Sequence, residues 1–413
     1  MISFKENNLN ELRSKPQVIL YGAGMIGRLV YHYLNENGIN IDFFLDSDRR
    51  LSSKKVGEKK IFTLENCPEI KNNSTVFLTN SYFLDVVPKV KSRKITNIFS
   101  CENIIDKMNF QEVYKSKLFF DYQEIYPLEK IIRHTNFYKD MLRKDQYKLE
   151  NYIYIKSLDV QVTEKCSAKC LNCSNLMHYY SKPKDANNED TNKSLDIFMS
   201  VVDQVDELRI IGGDPFMNKD LHKTVYKLLT YENAKKVVVY TNAKIVPKNE
   251  NLECLKNSKV VIDISNYKNE ASKNYEKLVE VLRQENINFT TNIITQWQDC
   301  GRVLPDTNEN EKQLSKKFVN CCNSELISML HGKIYRCPFS ANLSNISKQH
   351  NEPKDSVNLL DENINKEMLK EQIFNLVYNK DYLSACRNCN GRDYTTKWID
   401  AAVQLKVPNS LKI

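Results

Sequence analysis

Three cysteines inside eight residues, directly after an apolar strand, constrain this chain more than any other feature. The segment runs Val162-Thr-Glu-Lys-Cys166-Ser-Ala-Lys-Cys170-Leu-Asn-Cys173, a C-x3-C-x2-C spacing. Thiolates this close in sequence can converge on one metal centre, and a loop leaving a strand lets the backbone wrap it. A closed tetrahedral zinc site needs four ligands. Three leave a position open, which suits a [4Fe-4S] cluster with one free iron, or a zinc loop completed by a distant Cys or by His178.

The strand at 158–162 opens a series of strand signals at 208–211, 236–240, 260–264 and 288–293, with helical stretches between them such as 195–205 and 275–285. Repeated strand–helix units predict a parallel sheet, open or barrel-like. The first hundred residues hold a smaller α/β series, with strands at 17–21, 41–45, 75–79 and 95–99. Residues 105–150 show helical spacing and no strand, and beyond 320 the pattern breaks into short, cysteine-bearing elements. The expected organisation is α/β: a small Rossmann-like domain at 1–104, a helical linker at 105–152, a barrel-like domain at 153–310 and a Cys-rich extension at 311–413.

Composition narrows the class. Hydrophobic residues make up 41%, with 17 Phe and 22 Tyr, enough to bury real cores and exclude a disordered chain. The net charge of +8 is spread out with no long basic block, which suits an anionic small molecule better than nucleic acid. No apolar run approaches the roughly 20 residues that span a bilayer, and the polar N-terminus lacks a secretory core, so a cytoplasmic location is expected. In that compartment 12 clustered cysteines point to metal binding or catalysis before disulfides.

A second motif sits at a strand end about 40 residues after the cysteine loop: Ile210-Ile-Gly212-Gly213-Asp214-Pro215-Phe216. Paired glycines let backbone approach a ligand closely, and a carboxylate there can accept from an ammonium. Together the cysteine spacing and this motif resemble the radical S-adenosylmethionine (SAM) superfamily over residues 155–300. The resemblance implies a partial (β/α)6 barrel in which Cys166, Cys170 and Cys173 hold a [4Fe-4S] cluster whose free iron chelates SAM. One-electron cleavage of SAM then yields a 5'-deoxyadenosyl radical that takes hydrogen from a substrate. It further implies that Gly212, Gly213, Asp214 and Pro215 meet the SAM amino group, and that Asn242 and Ser265 approach its methionyl and ribose parts. A flavodoxin- or ferredoxin-type reductant is the implied electron source. The chain departs from the family pattern in two places: Asp214 stands where Glu is usual, and Asn172 where an aromatic residue often precedes the third cysteine.

The remaining cysteines fall into a second set: Cys321-Cys322, Cys337 and Cys386-Arg-Asn-Cys389. Cys322, Gly332 and Cys337 fit C-x9-G-x4-C, which resembles the start of the SPASM and twitch extensions. With no cysteine after Cys389 the shorter twitch form is implied, in which Cys322, Cys337, Cys386 and Cys389 hold one auxiliary [4Fe-4S] cluster for electron transfer. A four-cysteine zinc knuckle uses the same residue types. Cys321 competes with Cys322, and the spacing selects Cys322. Cys300 is expected to be inert or, alternatively, a hydrogen-atom donor to a substrate radical, while Cys67, Cys101 and Cys254 read as structural thiols.

Near the N-terminus Gly22-x-Gly24-x-x-Gly27 follows a strand and opens a helix, with Asp46 at the end of the next strand. Such glycines can seat phosphates at a helix N-terminus, and the acid can hold a ribose hydroxyl. About 100 residues make one mononucleotide half. The unit resembles the small domain beside sugar acyltransferases and other surface-polysaccharide enzymes, which implies a nucleotide-activated sugar; glycines kept only for packing are the alternative. Three functions follow. The first is a radical enzyme that oxidises, epimerises or rearranges a nucleotide-linked or carbohydrate substrate in surface glycan biosynthesis. The others are a ribosomal-peptide maturase and a non-catalytic zinc or iron-sulfur protein.

Overall fold

The computed structural model describes residues 2–3, 9–80, 83–115, 127–347, 352–393 and 396–407. The chain divides into two compact units, Met1–Asp145 and Gln146–Ile413.

In the first unit β1 (Ile2–Ser3), β2 (Val18–Tyr21), β3 (Phe43–Leu45), β4 (Lys55–Val56), β5 (Lys59–Phe62), β6 (Thr75–Leu78) and β7 (Asn97–Ser100) form one sheet, ordered β1-β7-β6-β2-β3-β5-β4. All pairs are parallel except β4 with β5. The strand order reverses at β2, whose neighbours are β3 and β6, and the glycine loop leaves β2 at that switch point, where open α/β sheets bind ligands. Within the stretch expected as a helical linker, the described helix Leu128–Leu142 packs on this sheet. Tyr138, on the helix Leu128–Leu142, donates its hydroxyl to Leu78 O at 2.6 Å and accepts from Cys101 N–H at 2.8 Å, and Ile131 joins the same core. An aromatic whose only polar atom is satisfied inside the core anchors that helix to the sheet.

The second unit carries β8 (Tyr154–Thr163), β9 (Gln204–Gly212), β10 (Ala234–Thr241), β11 (Val260–Asn266), β12 (Phe289–Ile293), β13 (Gln296–Gln298), β14 (Leu326–Leu330), β15 (Lys333–Tyr335), β16 (Ser356–Asn358) and β17 (Trp398–Asp400). Its main sheet runs β12-β11-β10-β9-β8-β14-β15-β16, and β8 to β12 are parallel in chain order. The sixth parallel strand is β14, from the Cys-rich region. It pairs with β8 rather than extending beyond β12, so the expected boundary at 310 cuts through a continuous sheet.

One face of β8–β12 is aliphatic. Leu158, Val160, Leu208, Ile210, Val237, Val239, Ile262 and Ile264 pack there against Leu195, Phe198, Leu221, Val225 and Leu278 from the covering helices. The strand period of two sends the alternate residues to the other face, and these include Asp159, Gln161, Glu207, Arg209, Tyr240 and Asp263 beside the aliphatic Val238 and Val261. A parallel sheet covered on both faces usually reads as continuous Val, Ile and Leu. A face this polar inside a fold is built to meet something other than protein core.

Candidate active site and metal centres

The three-cysteine loop leaves the C-terminal end of β8. Cys166, Cys170 and Cys173 gather with Ala168, Ala271, Ala402, Tyr267 and Trp297 in one small cluster. Burial pushes the Cys170 thiol up to about 12, with Cys173 adding to it. Burial likewise raises Cys166, where Asp214 adds its charge, and Cys173. Left bare, these thiols are protonated at neutral pH, and a cationic metal centre is the partner that would draw out the thiolates. A [4Fe-4S] cluster places each thiolate on a separate iron. His178 does not join the loop thiols. It is 1% exposed, both ring nitrogens lack partners, and burial alone lowers it to about 4.

Long-range contacts hold the loop in place. Residues 402–405 run beside it: Leu171 N–H donates to Val403 O and Leu405 N–H to Lys169 O, each at 2.7 Å. Gln404 Nε2 points at Cys170 Sγ at 3.0 Å, and N–H groups aimed at sulfur tune an iron–sulfur centre. Pairing of β13 with β17 puts Trp297 edge-on to Tyr267, with ring centroids 5.5 Å apart. Gly301 passes so close that a Cβ there would lie 1.8 Å from Asn172 O. Nothing local in the sequence signalled Gln404, Gly301 or Tyr267.

The Gly-Gly-Asp-Pro motif lies beside this loop. A Cβ on Gly213 would meet Lys165 O at 2.2 Å and Cys166 Cβ at 2.7 Å, so only glycine lets β9 run against the cysteine loop. The Gly213→Ala chain is expected to lose about 1–3 kcal/mol of stability through overpacking, read as a lower melting temperature together with reduced iron retention. Asp214 is 1% exposed and its oxygens are already engaged. Phe216 N–H donates to Oδ1 at 3.1 Å, and Thr241 Oγ1 and Asn242 N–H donate to Oδ2 at 3.0 Å. These bonds tie the end of β9 to that of β10. Pro215 starts the buried turn Pro215–Met217. Asn242 reaches the loop, with Nδ2 3.4 Å from Ser167 Oγ and 3.8 Å from Cys166 Sγ. Ser265 lies at the end of β11, where its carbonyl accepts from Ser272 Oγ at 3.1 Å.

On the polar inner face Arg209 forms an ion pair with Asp159 at 3.1 Å, and its guanidinium lies 4.4 Å from the Tyr240 ring centroid. Asn292 Nδ2 donates to Asp263 Oδ1 at 2.8 Å. Burial pushes Asp159 up to about 6, against the pull of Arg209. Burial opposes the charge on Arg209 too, but Asp159, Tyr240, Glu207 and Asp263 hold its pKa above the ordinary value.

The second cysteine set assembles from three elements. Cys321 caps the helix Glu311–Asn320, Cys337 starts the helix Pro338–Ile346, and Cys386 and Cys389 flank the end of the turn Ser384–Asn388. Cys337, Cys386 and Cys389 pack together with Phe318, Phe339, Leu383 and Ala385. The spacing argument chose Cys322; the structure puts Cys321 with the others instead. The thiol of Cys337 is raised first by burial and further by the charges of Cys386, Cys321 and Cys389. The charge of Cys322 acts instead on Lys156 of β8 and on Cys300. Adjacent residues leaving a helix end in extended backbone point to opposite sides, which counting spacers does not reveal. Cys300 is 6% exposed and lines a small cavity, about 30 Å³, with Cys337, Cys386 and Cys389.

In the first unit Gly22 lies under Thr79, and the backbone of Gly27 packs against Gly22. No atom lies within 4 Å of a Cβ built on Gly24, so the N-terminus of the helix Met25–Glu36 is open. Asp46 Oδ2 accepts from Ala23 N–H and Oδ1 from Asp48 N–H, each at 2.8 Å, so the acid shapes the glycine loop itself.

Residues 158–287 match the family model described as a 4Fe-4S single cluster domain. Comparison with curated proteins finds no match. Among solved structures the chain is similar to native anSMEcpe with bound AdoMet, at 10% identity and TM-score 0.39, over 54% of this chain and 82% of that one. It is similar to BtrN in complex with AdoMet and 2-DOIA at 14% identity and TM-score 0.34, over 57% and 93%. Streptococcus suis SuiB bound to S-adenosylmethionine follows at 16% identity and TM-score 0.30, over 57% and 48%. The 4Fe-4S cluster-domain match takes in the three-thiol loop at the end of β8 and the glycine pair beside it. No described helix is long and apolar enough to cross a membrane.

Proposed function

We propose that the chain cleaves SAM at the Cys166–Cys173 loop and oxidises, epimerises or rearranges a polar, carbohydrate-type substrate held on the inner face of β8–β12. The charged character of that face carries the proposal. Asp159, Glu207 and Asp263 are each no more than 5% exposed, yet they sit among Arg209, Tyr240 and Asn292 on a face that core packing alone would fill with aliphatics. Fixed acids and a cation in a water-poor site recognise hydroxyl and amino groups far better than apolar side chains. Bound to this loop, SAM and a reduced cluster supply one-electron cleavage of a sulfonium bond. Cys166, Cys170 and Cys173 would hold the cluster, while Gly213 and Asp214 keep the floor of the SAM site flat against it.

Cys321, Cys337, Cys386 and Cys389 would hold the auxiliary cluster, and the open helix N-terminus at Gly24 would take the phosphates of a nucleotide-linked sugar. The excess of positive charge suits an acidic flavodoxin- or ferredoxin-type reductant.

The test is a panel of sugar nucleotides, aminocyclitols and precursor peptides, given with SAM and reductant. A carbohydrate-type compound is expected to stimulate 5'-deoxyadenosine formation, and Arg209→Gln to reduce that stimulation about 100-fold, as loss of a charged buried contact does. Stimulation by peptide alone would overturn the substrate class and leave the radical chemistry standing.

A further inference from the structure

Arg392 lies three residues after Cys389, and its backbone carbonyl accepts from Cys322 N–H at 2.8 Å. Its side chain lines the same cavity as Cys300, Cys337, Cys386 and Cys389. Among the described residues the guanidinium has one weak contact, Nη1 to Asn323 Oδ1 at 3.5 Å, and its buried Nε has no partner. No carboxylate is among the groups whose charge acts most strongly on it; those groups are Cys322, Cys300 and Cys321. A buried cation without an acid partner is costly unless negative charge reaches it. Four thiolates around an iron–sulfur core would supply that charge. Two backbone N–H groups are already aimed at the set, from Ser340 to Cys337 Sγ at 3.3 Å and from Gly391 to Cys389 Sγ at 3.4 Å.

We propose that Arg392 sets the reduction potential of the auxiliary cluster, as a fixed positive charge at the edge of its bed that favours the reduced, more negative form. This rests on the two-cluster reading above. Net charge near a cluster and hydrogen bonds to its sulfurs are the levers by which a protein moves such a potential. Arg392 also acts on Cys173 of the first loop, but only among the lesser influences there. Its place in the cavity lined by Cys337, Cys386 and Cys389 is what ties it to the auxiliary set.

The test is an anaerobic redox titration followed by electron paramagnetic resonance. It uses full-length protein in which Cys166, Cys170 and Cys173 are all Ala, so that only the auxiliary cluster reports. Arg392→Gln is expected to lower the ratio of reduced to oxidised cluster about tenfold at fixed poise, ~59 mV for a one-electron couple. Arg392→Lys, which keeps the charge, is expected to stay within about twofold of the parent. A titration of Arg392→Gln that overlays the parent, with about four irons retained, would overturn the proposal. Should Arg392→Gln lose its irons, Arg392→Lys decides: a ratio near the parent supports a charge effect, and a tenfold fall overturns it. A parent chain that binds no iron after loss of the first loop contradicts the two-cluster reading itself, a failure visible before any titration begins.

Discussion

Cys166→Ala is expected to lower 5'-deoxyadenosine formation from SAM by at least about 10³-fold and to cut iron from about eight to about four per chain. The size of the effect follows from the loop. Each of its three thiolates would bind a different iron, and the fourth iron must stay open for SAM, so no protein group stands by as a replacement. The His nearest in sequence, His178, is buried, and among the described residues neither ring nitrogen has a hydrogen-bond partner. Loss of one ligand should therefore empty the site while the aliphatic core beneath it stays folded, since Cys166 itself is only half-buried and packs outside that core. Liquid chromatography of the nucleoside and a colorimetric iron assay read the two effects separately. Activity kept at a tenth or more of wild type would mean that the loop does not hold the reactive cluster.

The second large effect separates two neighbouring cysteines. Cys321→Ala is expected to remove the auxiliary cluster, taking iron from about eight to about four per chain, while Cys322→Ala keeps about eight. Cys321 shares its surroundings with Cys386, and its thiol is pushed up to about 12 by burial and by Cys322. Cys322 donates its N–H to Arg392 O and sends its Sγ toward Asn323 Oδ1 at 3.7 Å, and its charge is not among those acting most on Cys337, Cys386 and Cys389. Iron and sulfide analysis of the two variants, purified side by side, checks this. The reverse pattern would restore the spacing argument and show that the helix end unwinds by a residue when the cluster binds.

What was legible in the sequence is what local chemistry decides. Cys166, Cys170 and Cys173 lie within one short loop, so their spacing alone predicts a shared centre. Gly213 declares itself because no other residue fits where two backbones touch. The helices and strands of both α/β series could be read from periodicity, because apolar residues recur at the period of the face they bury.

The rest depended on contacts between distant parts of the chain. Gln404 reaches Cys170 from the far end of the sequence, and nothing in its own neighbourhood marks it. Strand β14 joins β8 because the edge beside the first strand was open, a matter of sheet topology that periodicity does not carry. Asp214 kept the charge of the usual Glu, and its oxygens are within reach of Thr241 and Asn242 at the end of the next strand. The choice of Cys321 over Cys322 hangs on where the helix Glu311–Asn320 stops, and helix ends are the least certain part of any sequence reading.

The central claim is that this chain opens SAM by one-electron chemistry at a cluster held by three thiolates. Anaerobically reconstituted wild-type protein, incubated with SAM and dithionite, tests it most directly. Formation of 5'-deoxyadenosine and methionine, in protein holding about eight irons and eight sulfides per chain, is the expected result. Two zincs per chain, no iron and no 5'-deoxyadenosine would contradict it.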